Sequence, residues 1–340
     1  MNAIISTWIY LDAPEERSDY PQVGKQSHLP EFQMVYWKCV AVFYALSKRV
    51  NPNARHILFT NQREDQLPVD QGFNWPHFLR QLEVEIVTLP LTWQTPSGFH
   101  GMWRNQFYIF DILQFFEKQV HDDDSALLVF DSDCLINRPL DRLVREIQKD
   151  GLLVLTIPFD LDDNINGITR RDMRRLFAEL DGGTDPGYDP IYYGGEVFAS
   201  TLPAVRQINA RMPGLWENML TRYEAKTAKF NEEAHFLSYF YNKIRKFGPL
   251  EPFIRRIWTS TRYTDVQASD ADLPIWHLPS EKTGGIAILF DWLRANRPLP
   301  ASITELGMLV GVPVRSRYRN LRHRLKYTAL YRLWLKISGT

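Results

Sequence analysis

The sequence predicts an α/β protein in which a mostly parallel central sheet is covered by helices on both faces. Short apolar segments alternate with longer segments of helical periodicity over about the first 130 residues. Such alternation favours β-α-β units, because a crossover helix returns the chain to the start of a parallel strand. One strand, Leu127–Phe130, consists of four consecutive apolar residues, which is typical of a strand buried on both faces.

Each predicted element follows from its apolar pattern and from the residues that interrupt it. Strands combine short apolar runs with polar flanks, and helices repeat apolar residues every three or four positions. In chain order we predict a strand at Ala3–Tyr10, a helix at Phe32–Val50, strands at Arg55–Thr60 and Val84–Val87, a helix at Gly101–Lys118, strands at Leu127–Phe130 and Leu152–Ile157, a basic helix from Arg170, a strand at Tyr192–Ala199 and a helix opened by Asn231 as its N-cap.

Composition limits the class of protein. The chain has 340 residues, and its 40 Lys and Arg balance its 40 Asp and Glu, so global charge gives no reason to expect nucleic acid as a partner. Two cysteines cannot form a disulfide framework, which favours a reducing, cytoplasmic compartment. The apolar run from Ala3 to Leu11 lacks a basic start and meets Asp12 at once, so we interpret it as a strand rather than a signal peptide.

Two carboxylates one residue apart follow the strand Leu127–Phe130. Asp131 and Asp133 flank Ser132 at the carboxyl end of this strand, where ligands of open α/β sheets bind. Carboxylate oxygens suit Mg²⁺ or Mn²⁺, and such a metal in turn suits a diphosphate. The alternative is a polar loop that merely closes a strand, because Asp and Ser are common turn residues.

Three later segments also contain candidate site residues, each with a structural alternative. Paired glycines, Gly194 and Gly195, indicate either close approach of a ligand to the backbone or a bulge. Glu233 shares a helical stripe with core residues, so it either enters a partly buried site or is favoured by the helix dipole. His277 is a third metal ligand or a structural histidine, and Lys282 on a glycine-rich loop is placed to meet phosphate.

This order of segments resembles the glycosyltransferases of the GT-A fold. The segment Tyr192–Thr201 is similar to the acceptor side of the α-1,3-galactosyl and N-acetylgalactosaminyl (blood-group-like) transferases, and Glu232–Lys243 is similar to their Asp-Glu-Ser-His-Leu segment. The resemblance implies that Glu233 is the candidate nucleophile of a retaining reaction. It also implies acceptor contacts at Gly194, Gly195, Glu196 and His235.

A weaker resemblance connects the C-terminal half to the retaining family of glycogenin and bacterial lipooligosaccharide galactosyltransferases. It implies that His277 completes the metal site and that Lys282 holds phosphate, although their spacing of five is one residue shorter than in that family.

Together the two resemblances imply transfer from a nucleoside diphosphate sugar, with UDP as the expected nucleotide, to a saccharide or glycolipid acceptor, with Mn²⁺ or Mg²⁺ as cofactor. The implied donor contacts are Thr7, Tyr10, Arg104, Ser132 and Lys282.

The resemblance covers about residues 1–285, with a nucleotide-binding half at about 1–140 and an acceptor half at about 141–285. Two other interpretations remain open. A phosphatase of the haloacid dehalogenase type also runs an apolar strand into two aspartates, but that family prefers Thr or Val where Leu135 stands and has the motif on its first strand. The other alternative is a catalytically degenerate protein of the same fold that binds sugar nucleotides.

Residues 286–340 form a predicted helical tail that is basic and aromatic toward its end. Residues 314–340 contain eight Lys and Arg and no acid, with tyrosines and a tryptophan between them. Such a segment is typical of contact with an anionic membrane surface, and we expect peripheral binding at the inner face of the membrane. The alternative is a basic helix that packs on the acidic body of the same chain.

Overall fold

The computed structural model describes residues 2–20, 23–70, 72–244, 246–260 and 263–313, apart from the side chain of Lys25. Within these ranges the strands are β1 (Ala3–Ile9), β2 (Asp19–Tyr20), β3 (Lys25–Gln26), β4 (Arg55–Thr60), β5 (Val69–Asp70), β6 (Phe73–Asn74), β7 (Val84–Thr88), β8 (Ala126–Phe130), β9 (Cys134–Ile136), β10 (Leu152–Val154), β11 (Val197–Ser200), β12 (Gly248–Pro249), β13 (Ile254–Arg256) and β14 (Ile275–His277).

The α-helices of the described ranges are α1 (Pro30–Val50), α2 (Trp75–Gln81), α3 (Tyr108–Gln119), α4 (Asp141–Asp150), α5 (Arg170–Leu180), α6 (Leu202–Glu224), α7 (Glu233–Ile244), α8 (Gly285–Arg294) and α9 (Ile303–Val310). Short 3-10 helices occur at Pro14–Glu16, Glu64–Gln66, Arg104–Phe107, Ala268–Asp272 and Pro279–Glu281. None of the helices in these ranges is long and apolar enough to cross a membrane.

The central sheet has seven strands in the order β12-β10-β11-β8-β1-β4-β7. The four strands from β8 to β7 are mutually parallel, whereas β11 runs antiparallel to both of its neighbours. The prediction of a mostly parallel sheet in an α/β protein is therefore confirmed. A second sheet has three short strands in the order β13-β14-β9, and its strand β9 follows β8 directly in the chain.

Both faces of the central sheet are buried. Leu128 and Phe130 of β8 contribute to one apolar core with α1, whereas Leu127 and Val129 contribute to a second core with α3, α6 and α7. Because side chains alternate across a strand, a continuous apolar run is needed to fill both cores. The four-residue apolar run of the sequence is explained by this requirement.

Helices α8 and α9 belong to the first of these cores. Phe290 of α8 stacks on Trp75 with ring centroids 5.4 Å apart, and Leu309 of α9 is buried in the same cluster. A Cβ on Gly285 would lie 2.5 Å from the carbonyl oxygen of Leu309, so the two helices approach closely. The predicted basic segment at 314–340 lies outside the described residues.

Four predicted elements differ from the structure, and one of them, the strand predicted at Leu152–Ile157, ends at Val154. The helix predicted from Gly101 begins with the 3-10 turn at Arg104, because Trp103 takes a left-handed conformation with φ of 51°. The strand predicted from Tyr192 is formed only from Val197, and the two glycines precede it in a loop. Asn231 does not cap α7, since its side chain instead accepts from Lys229 and donates to the carbonyl of Asn166.

Candidate active site

A cavity of about 310 Å³ lies at the carboxyl ends of β1 and β8, as expected for a ligand site of an open α/β sheet. Its wall combines the ends of these strands with the end of β14 and the start of α7. Residues lining the cavity include Trp8, Tyr10, Tyr36, Gln106, Asp131, Ser132, Asp133, Phe159, Tyr192, Gly195, Glu196, Glu232, Glu233, Arg256, Trp258, His277 and Lys282.

Asp131 and Asp133 occupy the turn that joins the large sheet to the small one. The Asp131 amide donates to the carbonyl of Glu196 at 2.9 Å, and the Cys134 amide donates to the carbonyl of Asp131 at 3.1 Å. Strand β9 then pairs antiparallel with β14, so that Cys134 stands opposite His277. This pairing carries the imidazole to the two carboxylates, although the three residues are far apart in the sequence.

Asp131, Asp133 and His277 form a candidate metal site. One ligand atom from each residue lies within 4.8 Å of the others, and His277 Nε2 is 3.6 Å from Asp131 Oδ2 and 3.3 Å from Asp133 Oδ2. Two carboxylates with one imidazole fit Mn²⁺, and fit Mg²⁺ less well because Mg²⁺ prefers oxygen ligands. His277, which was predicted as a third ligand, thus lies beside both aspartates.

The two aspartates differ in their electrostatic surroundings. Burial, followed by the carboxylate of Asp133, raises the pKa of Asp131 to about 7. Desolvation also opposes ionisation of Asp133, but the ammonium of Lys282 and the imidazole of His277 outweigh it and lower the pKa of Asp133. Like charges that share a site repel each other, and a divalent cation placed between them would remove this repulsion.

Lys282 contacts Asp133 directly and also lines the cavity. Its Nζ atom bonds to Asp133 Oδ2 and lies 5.6 Å from the centroid of the Tyr36 ring. Lys282 therefore lies at the candidate metal site, as expected for a residue predicted to hold a phosphate there. Its ammonium, however, is paired with Asp133, one of the candidate metal ligands.

Glu233 opens α7 and faces the cavity with a carboxyl group that is almost fully buried. Its exposed fraction is 8%, and its Oε2 atom has no hydrogen-bond partner among the described residues. Desolvation first, and then the carboxylates of Glu232 and Asp131, raise the pKa of Glu233 well above its usual value. The helix dipole alone does not account for an acid that is buried and lines a cavity while one of its carboxyl oxygens has no partner among the described residues.

Gly194 and Gly195 make room for two carboxylates. A Cβ on Gly195 would lie 2.7 Å from Glu233 Oε1, and one on Gly194 would overlap the carboxylate of Glu196. The amide of the preceding residue, Tyr193, donates to the Ser238 hydroxyl of α7 at 2.9 Å and holds the loop against that helix. The glycine pair is thus explained by close approach, with protein carboxylates as the neighbours.

Glu196 is buried beside the metal site and forms an ion pair with Arg256. Although desolvation opposes its ionisation, Arg256 and His277 lower the pKa of Glu196. Its Oε1 atom lies 3.7 Å from His277 Nδ1, the ring nitrogen that faces away from the aspartates. Glu196 therefore orients the imidazole electrostatically, as carboxylates behind metal-bound histidines commonly do.

Several predicted site residues are not brought into the cavity. Thr7 is fully buried within β1, where its hydroxyl donates to the carbonyl of Phe130 at 2.7 Å. Arg104 donates to the carbonyl of Thr95 at 2.7 Å, and its neighbours rather than itself line the cavity. Gly194 and His235 lie behind the lining, and burial lowers the pKa of His235 to about 3.

Tyr10 and Ser132, both predicted as donor contacts, line the cavity. The Tyr10 hydroxyl donates to Glu16 Oε1 at 2.9 Å, and the Tyr10 ring packs on Tyr108 with centroids 5.4 Å apart. Trp8 packs on the same ring at 5.8 Å. An aromatic wall thus stands at the end of β1, where a flat, polar ring system such as a nucleobase would fit.

Sequence reasoning did not single out several of the lining residues, among them Tyr36, Glu232, Arg256 and Trp258. The buried Glu232 carboxylate accepts from Tyr192 at 2.8 Å and also from Asn166. Arg256 is next to His277 in the pairing of β13 with β14. Two of the three residues of β13 are arginines, so no apolar pattern singled out Arg256, whereas the adjacent acid Glu233 was a signal for Glu232.

No model of a known protein family matches the chain, and no curated protein matches it either. The function must therefore be argued from the cavity. That cavity combines five carboxylates, from Asp131, Asp133, Glu196, Glu232 and Glu233, with the cationic groups of Arg256 and Lys282. Such an excess of buried carboxylates is typical of a site that takes a metal cation.

Proposed function

We propose that this protein is a metal-dependent glycosyltransferase that moves a sugar from a nucleoside diphosphate sugar to a saccharide or glycolipid acceptor with retention of configuration. The observation that carries the proposal is that Asp131, Asp133 and His277 share one cavity with the buried carboxyl group of Glu233, whose Oε2 atom has no hydrogen-bond partner among the described residues. A metal site alone fits many reactions. A further carboxyl group in the same cavity, that of Glu233 in addition to the metal ligands, fits chemistry at a sugar carbon.

The metal site supports the departure of a diphosphate. Mn²⁺ or Mg²⁺ bound by Asp131, Asp133 and His277 would neutralise the negative charge that grows on a leaving diphosphate. Lys282 and Arg256 line the same cavity, and their positive charges would also stabilise the diphosphate. Glu196 holds Arg256 and faces the distal nitrogen of His277, so it positions both groups.

Glu233 acts on the sugar from the face opposite the diphosphate. Its carboxylate attacks the anomeric carbon as the bond to the diphosphate breaks, and the acceptor hydroxyl then displaces the carboxylate and gives its proton to an oxygen of the released diphosphate. Two inversions at one carbon give net retention. Desolvation, followed by the carboxylates of Glu232 and Asp131, raises the pKa of Glu233, and neutralising Asp131 with a cation would remove one of these causes.

The nucleoside is assigned to the aromatic wall formed by Trp8 and Tyr10, with UDP as the nucleotide to examine first. Thr7 and Arg104 are not needed as direct donor contacts, because neither lines the cavity. The acceptor is assigned to the side of Gly195 and Trp258. The basic segment at 314–340 would hold the protein at the inner face of a membrane, next to a lipid-linked acceptor.

The decisive experiment is isothermal titration of UDP with and without Mn²⁺, followed by a hydrolysis screen of nucleotide sugars. We expect UDP to bind far more tightly with Mn²⁺, and at least one nucleotide sugar to be hydrolysed slowly in the absence of acceptor. For variants of the metal-site aspartates, Asp124→Asn is a matched control, because Asp124 is an exposed carboxylate in the loop before β8 and neither it nor its chain neighbours line the cavity. Release of phosphate from phosphate monoesters, without turnover of any nucleotide sugar, would instead favour a phosphatase.

A further inference from the structure

Asp133 is the ligand for which two cations compete. Its Oδ2 atom lies 3.3 Å from His277 Nε2, in the candidate metal site, and the same oxygen bonds to the ammonium of Lys282. The side chains of Asp133 and Lys282 are 2% and 8% exposed, so water screens their attraction little. The oxygen that a metal would use is therefore already neutralised by an internal cation.

The backbone that carries Lys282 is fixed, whereas its side chain borders open space. Glu281 is buried, accepts from the Thr259 hydroxyl and accepts from the Gly285 amide at 2.8 Å. These bonds hold the 3-10 helix at Pro279–Glu281 against the start of α8. The four-carbon stem of Lys282 is flexible and lines the cavity, so its ammonium has room to leave Asp133 without any change of the main chain.

A divalent cation and the ammonium cannot both keep this oxygen. Metal–oxygen bonds to Mg²⁺ are about 2.1 Å long, and an ammonium that stays in contact with the same oxygen would stand within a few ångströms of the metal. Repulsion between the two cations in a buried site is strong, because the surroundings screen it poorly. Entry of the metal thus requires Lys282 to move, and a displaced buried ammonium requires a new anionic partner.

We propose that Lys282 and the divalent cation compete for Asp133, and that the diphosphate of the substrate raises metal affinity by accepting the displaced ammonium. This inference rests on the proposed function, because it takes a divalent cation and a diphosphate as the ligands of this cavity. Metal and nucleotide then bind synergistically. By linkage, the nucleotide raises metal affinity by the same factor as the metal raises nucleotide affinity. Lys282 is a positioning residue in this exchange.

The test is the affinity of the full-length chain for Mn²⁺ alone, measured by electron paramagnetic resonance of the free ion. In Lys282→Met the competitor is absent, so we expect Mn²⁺ to bind at least about tenfold more tightly than to the wild type, within the usual range of coupling between sites. A merely structural role for Lys282 predicts the opposite, because damage to the site weakens metal binding. Unchanged or weaker binding of Mn²⁺ to Lys282→Met overturns the proposal.

Arg256→Met separates competition for one oxygen from the general electric field of the cavity. Arg256 lines the same cavity but pairs with Glu196 instead of Asp133. If loss of this cation raises Mn²⁺ affinity as much as loss of Lys282 does, the field explains the effect and competition is refuted. Lys282→Gln repeats the measurement with an uncharged side chain that still donates to Asp133, in case the methionine variant does not fold.

Repeating the titrations with saturating UDP measures the synergy. We expect UDP to raise Mn²⁺ affinity strongly in the wild type and at least about tenfold less in Lys282→Met. Equal enhancement in both chains contradicts the exchange. If the wild type binds Mn²⁺ and hydrolyses a nucleotide sugar while Lys282→Met gains no affinity, the inference fails alone. If neither chain binds Mn²⁺, the inference and the proposed function fail together.

Discussion

His277 lies directly opposite Cys134 in the antiparallel pairing of β9 with β14. Because Cys134 follows Asp133 immediately, this single register places the imidazole beside both aspartates. A shift of one residue would turn His277 to the other face of the small sheet and remove it from the site. The candidate metal site thus depends on the junction between two sheets.

Asp131→Asn and Asp133→Asn should both abolish Mn²⁺-dependent turnover but should differ in stability. Asp133→Asn leaves the buried ammonium of Lys282 without its partner, and breaking a buried ion pair costs about 3–5 kcal/mol. Asp131 lies 3.6 Å from the imidazole of His277 rather than in contact with an ammonium, and it repels Asp133, so Asp131→Asn should lower the free energy of unfolding less than Asp133→Asn does. Chemical denaturation without metal measures the difference, and equal destabilisation of both variants would contradict it.

Glu233→Gln should lower kcat by orders of magnitude with little change in the KM for the donor. An amide is close in shape to the protonated carboxyl group but cannot attack the sugar, and such a change in kcat alone indicates an interaction of the transition state. Steady-state kinetics and the anomeric configuration of the product, determined by NMR, check this. An inverted product, or wild-type kcat in the variant, would show that Glu233 is not the nucleophile.

The contribution of Glu233 to the free energy of unfolding should decrease as the pH rises. Folding raises the pKa of Glu233 well above its usual value of about 4.5. At pH values between the unfolded and the folded pKa, the folded state therefore binds more protons than the unfolded state. This contribution to stability is complete below about pH 4.5 and is lost as the pH rises toward the folded value. As the pH rises from 5 to 8, the free energy of unfolding of the wild type should therefore fall relative to that of Glu233→Gln. A difference between the two free energies that does not change with pH would refute the assignment.

Gly195→Ala should reduce turnover because its Cβ would lie 2.7 Å from Glu233 Oε1 and would displace that carboxyl group. Gly214→Ala in α6 is the matched control, since no atom lies within 4 Å of its Cβ position. The control should keep full activity and gain up to about 1 kcal/mol of stability from better helix propensity. Activity assays and thermal denaturation distinguish the two, and an active Gly195→Ala would show that Glu233 tolerates displacement.

The basic segment at 314–340 should bind anionic vesicles. Each Lys or Arg near an anionic surface contributes about 1 kcal/mol, and this segment has eight of them without any acid. Co-sedimentation at low salt should pellet the full chain but not a chain that ends at Pro313, and added salt should release it. Equal pelleting of the two chains would rule out a membrane role for the segment and favour packing on the body.

Local patterns predicted the central sheet well, but they predicted only part of the candidate site. The strand Leu127–Phe130, the two aspartates after it and Glu233 are all visible within a few residues of sequence, and the structure brings the three acids into one cavity. Arg256 and the contact of Lys282 with Asp133 depend on pairing between β9, β13 and β14. Residues more than one hundred positions apart meet there, and no local period encodes that meeting.

The errors of detail have equally physical causes. Asn231 has the residue type of an N-cap, but Lys229 and Asn166 compete for its side chain and leave the helix to begin at Glu233. The apolar run after Gly101 has the period of a helix, yet the left-handed conformation of Trp103 delays its start. In both places tertiary contacts or backbone geometry override a correct local preference.

The packing of α8 and α9 on the first core also matters for anyone who expresses this protein. A chain that ends at residue 285 would lose Phe290 and would uncover the indole of Trp75, which is fully buried in the intact protein. Contiguous apolar surface of this kind drives self-association in solution. Expression vectors should therefore encode the chain at least as far as Pro313. Insoluble protein from shorter clones would result from exposed core residues and would say nothing about the activity of the site.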